Sequence, residues 1–130
     1  MKLRKDLSAH GLIENIKNKI SKIHDHKQSS NKITIPLRDI IMSCFAVFSL
    51  KYPSLLKYDE EKRKPHVQRN FKNLYFINNA PSDTYMRERL DEIDPQHLIP
   101  AFNKVFSSLQ RGKVLEQYQF INDCYLFSCD

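Results

Sequence analysis

Pro36-Leu37-Arg38-Asp39-Ile40-Ile41-Met42-Ser43-Cys44-Phe45-Ala46-Val47-Phe48 is the stretch that decides the fold. Its apolar set, Leu37, Ile40, Ile41, Cys44, Phe45, Val47 and Phe48, covers nearly the whole circumference of a helix. A helix apolar all round belongs at the centre of a core. Pro36 suits its first turn, where the missing N–H leaves no ladder bond unmade, and Tyr52-Pro53 ends it. The run is interrupted by Ser43, Cys44 and Ser49 and is too short to span a bilayer, so no membrane partner is expected.

On the amino side, Leu12 or Ile13, Ile16, Ile20 and Ile23 recur at helical spacing with Lys17, Lys19 and Lys22 between them, which predicts a basic amphipathic helix over about residues 6–24. Residues 24–31 lose that period and read as a loop. On the carboxyl side, Ser54 caps a short helix carrying Leu55, Leu56 and Tyr58, and the charged run 59–64 leads to Pro65. A helix over about 66–76 turns Val67, Phe71, Leu74 and Tyr75 inward. After the turn Asn78-Asn79-Ala80-Pro81, Ser82 caps a helix to about residue 93 with Met86, Leu90 and Ile93 inward. Pro95 and Pro100 frame another, with Leu98, Phe102, Val105, Phe106 and Leu109 as its buried face and Gly112 as its stop. Residues 114–120 show no clear pattern, and 125–129 form the one convincing strand.

The expected fold is therefore mostly α: a helical bundle with a helix-turn-helix-like pair, closing on a short β-strand. Three regions follow: a basic helix and linker (1–32), a helical domain (33–112) and a short tail (113–130).

Charge is unevenly placed. Residues 1–32 hold eight Lys/Arg against three Asp/Glu, residues 33–80 eight against four, and residues 81–130 five against eight. A basic front with an acidic back suits a polyanion, and nucleic acid is the commonest one; a merely solvated basic surface is the competing reading. Three cysteines, an odd count, and no secretory leader fit a reducing cytoplasm.

The helix-turn-helix reading sets Ser82 and Thr84 against phosphates or base edges and makes Arg87 the candidate for a guanine contact, with Arg89 on the flank. On a helical wheel the face opposite Met86, Leu90 and Ile93 holds Thr84, Glu88 and Asp91, so a purely structural pair of helices is the alternative. A second basic cluster, Lys62-Arg63-Lys64 with His66, Arg69 and Lys72, lies just ahead. Arg69 and Lys72 share a helix face and can clamp a phosphate, or can keep an exposed loop soluble. His24 with His26, and Cys124 with Cys129, lack the spacing of a closed zinc site. No phosphate-binding glycine loop, nucleophile elbow or Cys/His dyad is present.

Asp130, at the end of an apolar run, ends the sequence the way a buried strand presents a metal-binding carboxylate, which leads us to expect the front of a longer protein. Three stretches resemble the N-terminal part of bacterial insertion-sequence transposases of the DDE class: Asp6-Leu7-Ser8-Ala9-His10-Gly11-Leu12-Ile13, Met42-Ser43-Cys44-Phe45-Ala46-Val47-Phe48-Ser49-Leu50-Lys51-Tyr52-Pro53-Ser54-Leu55-Leu56, and Pro81-Ser82-Asp83-Thr84-Tyr85-Met86-Arg87-Glu88-Arg89-Leu90-Asp91-Glu92. Gln110-Arg111-Gly112-Lys113-Val114-Leu115-Glu116 and Leu126-Phe127-Ser128-Cys129-Asp130 resemble the start of that family's RNase H-like catalytic domain.

The resemblance implies binding of double-stranded DNA at the terminal inverted repeats of a mobile element, in the nucleoid. In complete members it also implies strand cleavage and transfer with divalent metal (Mg2+) held by two Asp and one Glu. Only Asp130 matches that triad, as its first Asp and metal ligand. One carboxylate cannot hold two metals, so the chain is expected to need no cofactor and to be no enzyme alone. The alternative function is a helical module that pairs with full-length transposase, or with itself, and dampens it without touching DNA, using Ile40, Phe45 and Phe48.

Overall fold

The structure is a computed structural model that describes residues 5–27 and 35–129. Six α-helices make up most of it: α1 (Ala9–Ile20), α2 (Leu37–Ser49), α3 (Leu55–Glu61), α4 (Pro65–Tyr75), α5 (Asp83–Leu90) and α6 (Ile99–Arg111). A small antiparallel hairpin follows, β1 (Gln119–Ile121) and β2 (Cys124–Tyr125). No helix among the described residues is long and apolar enough to cross a membrane.

The caps foreseen at Ser54 and Ser82 do their work, and Ser8, not foreseen from the sequence, caps α1. Ser8, Ser54 and Ser82 each accept a hydrogen bond from the backbone N–H three residues on, opening α1, α3 and α5. Pro36 stands one place earlier than expected, as the residue flanking α2.

α2 is the axis of the molecule. Leu37, Ile40, Ile41, Met42, Ala46 and Val47 are buried, with α1, α4 and α5 packed around them. Asp39 and Ser43 are buried among them, while Phe48 projects into solvent. Thus the helix is not apolar all round; a polar stripe of Asp39 and Ser43 faces the turn that follows α4. α1 belongs to the same core, since Ile20 is buried and Ile13, Ile16 and Ile23 pack against it. The basic front that charge counting separates at residue 32 is not separate in packing.

Both glycines of the chain mark the place where the 3-10 turn Lys5–Leu7 lies against the bundle. A Cβ on Gly11 would stand 2.3 Å from the Lys5 carbonyl oxygen, and one on Gly112 2.4 Å from a Leu7 methyl. At Gly11 the backbone excludes a side chain, whereas at Gly112 the neighbour is the movable end of the Leu7 side chain.

Three sequence expectations are revised. α4 packs mainly on α1 and α2, and α5 on α2 and α3, so the packing lends the helix-turn-helix-like pair no support. Between them, Phe76 takes a left-handed conformation (φ 58°), Ile77 is buried in the core, and the N–H groups of Asn78 and Asn79 donate to Asp39.

Second, the α6 face is only partly as expected: Leu98, Val105 and Leu109 are half-buried, but Phe102 is 72% and Phe106 57% exposed, while Ala101 and Ser108 are buried. α6 packs mainly on α1, and small residues let two helices approach closely. Third, the strand expected over 125–129 shrinks to Cys124–Tyr125, paired with β1 across Asn122-Asp123. Both turn residues have positive φ, the primed geometry that closes two-residue hairpins. Every residue of the hairpin is exposed, so it is not a buried strand.

Tyr58 locks α3 onto the core. It is fully buried, stacks on Phe71 at 5.9 Å and donates to the Pro81 carbonyl oxygen at 3.1 Å. Burial pushes its pKa up to about 12 from an ordinary value of 10.0, opposed in part by the Ser43 hydroxyl. A raised folded-state pKa contributes stability that is complete below pH 10 and is lost as the pH climbs toward 12. On the order of 2–3 kcal/mol is at stake. Spectrophotometric titration at the tyrosinate band is expected to lose its latest-titrating tyrosine in Tyr58→Phe, leaving Tyr52, which burial shifts up as well.

Candidate nucleic-acid interface

α4 has two faces because of its spacing. Val67, Phe71 and Tyr75 fall on one side and are buried, which leaves Gln68, Arg69 and Lys72 exposed on the other. Lys64 and Pro65 start the helix, with Arg63 immediately before. The left-handed Phe76 then reverses the chain, and its neighbour Ile77 donates to the Phe71 carbonyl at 3.1 Å, so residues 77–80 run back alongside α4.

An open groove of about 820 Å³ lies between helix and returning chain. Lys62, Arg63, Arg69 and Lys72 line one wall, Asn78, Asn79 and Ala80 the other, with Phe71 and Ile77 between them. Among the described residues, no Asp or Glu lines it.

The cations are not equivalent. Lys62 is held inward, 2.8 Å from Asp59 and donating to the Pro81 carbonyl oxygen at 2.7 Å. Its hydrogen bond holds the Asp59 carboxyl below the usual carboxylate range. Lys62 is therefore a brace between α3 and the segment before α5. Arg63, Arg69 and Lys72 form no ion pair among the described residues and bring net positive charge to the groove. Lys64 is exposed, 3.4 Å from Glu61, and stands outside the lining.

The candidates on α5 lie elsewhere. Ser82 is engaged as the cap, Thr84 donates to Asp83 at 3.0 Å, and Arg87 is exposed 3.7 Å from Asp83. Arg89 is only 4% exposed: one terminal nitrogen donates to Asp25 at 2.6 Å and the other to the Tyr85 hydroxyl at 3.2 Å. It is a core ion pair and has nothing to offer a phosphate. Asp130 falls outside the described residues.

No group of three His, Cys, Asp or Glu side chains converges among the described residues, so they offer a divalent metal no donor set. His24 and His26 contact each other edge to face, with ring centroids 4.6 Å apart. The chain matches no protein-family model, no curated protein and no solved structure.

Sequence reasoning missed three groups. Asp39 passes for an ordinary first-turn acid, although a carboxylate on the buried side of an apolar helix must have partners. Asp25 sits in a segment without periodicity. Asn78 and Asn79 read only as turn residues; the signal was two adjacent amides following a run of cations.

Proposed function

We propose that this chain binds double-stranded DNA through the groove beside α4, as the part of a DDE-class transposase that holds element ends, with no catalysis of its own. The observation that supports this most is the convergence of Arg63, Arg69 and Lys72 on one concave surface that no carboxylate among the described residues lines. Cations unpaired within the protein release counterions from phosphates on contact, the main source of affinity for a duplex. α5 is the weaker platform, because Glu88 and Asp91 share its exposed side with Arg87 and would repel the backbone. Binding of this kind places the protein with the nucleoid.

Affinity for inverted-repeat DNA is expected to fall with salt at a logarithmic slope of about −2.7, as three neutralised phosphates require. Arg69→Ala and Lys72→Ala should each flatten it by about 0.9, with folding unchanged, since both side chains are exposed. A flat titration removes the proposal.

The second reading, a module that pairs with transposase or with itself, draws on the outward stripe of Ile99, Phe102 and Phe106 and on Phe48. It loses Ile40, which is fully buried. A protein complex on size exclusion that DNA does not promote, together with the flat titration, selects it.

A further inference from the structure

We propose that Asn78 and Asn79 are the base-reading element of the α4 groove and that they favour adenine, hence A·T over G·C base pairs; the inference rests on the DNA-binding reading above. Where the α4 cations meet phosphates they fix position on a duplex but carry no sequence information, because every phosphate is alike. Adenine is read by a neutral group with both donor and acceptor, and the groove offers three: Gln68 among the cations, and Asn78 and Asn79 on the returning chain. A carboxamide matches adenine in the major groove, donating to one ring nitrogen while accepting from the exocyclic amine.

What distinguishes the asparagine pair is its mounting. The backbone N–H groups of Asn78 and Asn79 both donate to one carboxylate oxygen of Asp39, at 3.0 and 2.9 Å. The other oxygen of Asp39 takes two bonds from the Arg38 guanidinium, at 3.1 and 2.8 Å. Buried Ile77 anchors the turn on one side and buried Pro81, whose carbonyl oxygen accepts from both Tyr58 and Lys62, anchors it on the other. The main chain of the turn is thus fixed from below, while both side chains are exposed and their amides bond to nothing among the described residues. A short side chain on a fixed backbone is the arrangement that contact with a base edge needs, and Asp39 acts as its positioning residue.

The test is a fluorescence-anisotropy titration of the whole chain with two duplexes of equal length, one A·T-rich and one G·C-rich. The native protein is expected to prefer the first by at least about tenfold. The double variant Asn78→Ala/Asn79→Ala should lose that preference by weakening on the A·T duplex alone, with its salt slope unchanged. Arg69→Ala, by contrast, should weaken both duplexes equally. Equal native affinity for the two duplexes, or a preference that survives in the double variant, overturns the inference and leaves DNA binding standing. Failure to bind either duplex overturns both. Both asparagine side chains are exposed, so the variants are expected to keep the native far-UV circular dichroism.

Discussion

Asp39→Ala is expected to lower the free energy of unfolding by about 3–5 kcal/mol, a large fraction of the roughly 5–15 kcal/mol that holds a small domain together. The carboxylate is fully buried and accepts four hydrogen bonds, two from Arg38 and one each from the N–H groups of Asn78 and Asn79. Alanine leaves all four donors without an acceptor. Arg38 is about a third exposed and can turn to water, so its loss is partly recovered. The two backbone donors are fixed in a turn whose flanks are buried, and each orphaned donor costs about 1–3 kcal/mol.

Urea unfolding should show the loss as a lowered midpoint. Hydrogen exchange at the Asn78 and Asn79 amides should quicken beyond what the global loss explains, because their protecting acceptor is gone. Asp39→Asn keeps one acceptor oxygen and should fall between the alanine variant and the native protein. A midpoint unmoved by Asp39→Ala would mean that the turn is held by Ile77 and Pro81 alone.

The unequal legibility of this chain has a physical pattern. Where a capping hydroxyl acts on its own neighbours, the sequence is enough: Ser54 and Ser82 sit where their local chemistry demands. The inward face of α4 is legible for the same reason, since Val67, Phe71 and Tyr75 recur at helical period around polar neighbours, though Leu74 beside them stays exposed.

Periodicity fails on α6. A stripe of Phe102 and Phe106 declares an apolar face but says nothing of what lies opposite, and the close fit against α1 is made by Ala101 and Ser108 instead. It fails again between α4 and α5, where a seven-residue connection is bent by a carboxylate some forty positions earlier in the chain. The basic groove is half legible. Its cations are adjacent in sequence, but that Lys62 is a brace while Arg63, Arg69 and Lys72 carry net charge depends on Asp59 and Pro81.

The second large effect is expected at the pair of Asp25 and Arg89. Arg89→Met should cost about 3–5 kcal/mol, because it strands a carboxylate that is only 7% exposed. Asp25 also accepts from the N–H groups of Lys27 and Leu37, so it ties the segment after α1 to the start of α2 as well as to α5. Arg89 is not ideally housed. Its Nε has no hydrogen-bond partner, the Glu92 carboxylate standing 3.9 Å away. Burial works against its charge, and the Tyr85 hydroxyl and Asp25 more than offset that, so its pKa moves up.

A buried pair with an orphaned donor is costly to desolvate, and removing both charges should therefore restore most of what removing one destroys. The double variant Asp25→Asn/Arg89→Met keeps an acceptor for Leu37 and is expected within about 1–2 kcal/mol of the native protein. A cycle in which the single losses simply add would show that the two side chains act independently. The same variants bear on function. With Arg89 turned into the core, α5 presents Glu88 and Asp91 to solvent, and the proposed DNA contact falls to the α4 groove rather than to α5. The double variant should thus bind DNA with an unchanged salt slope; a slope flattened by about 0.9 would return Arg89 to the interface.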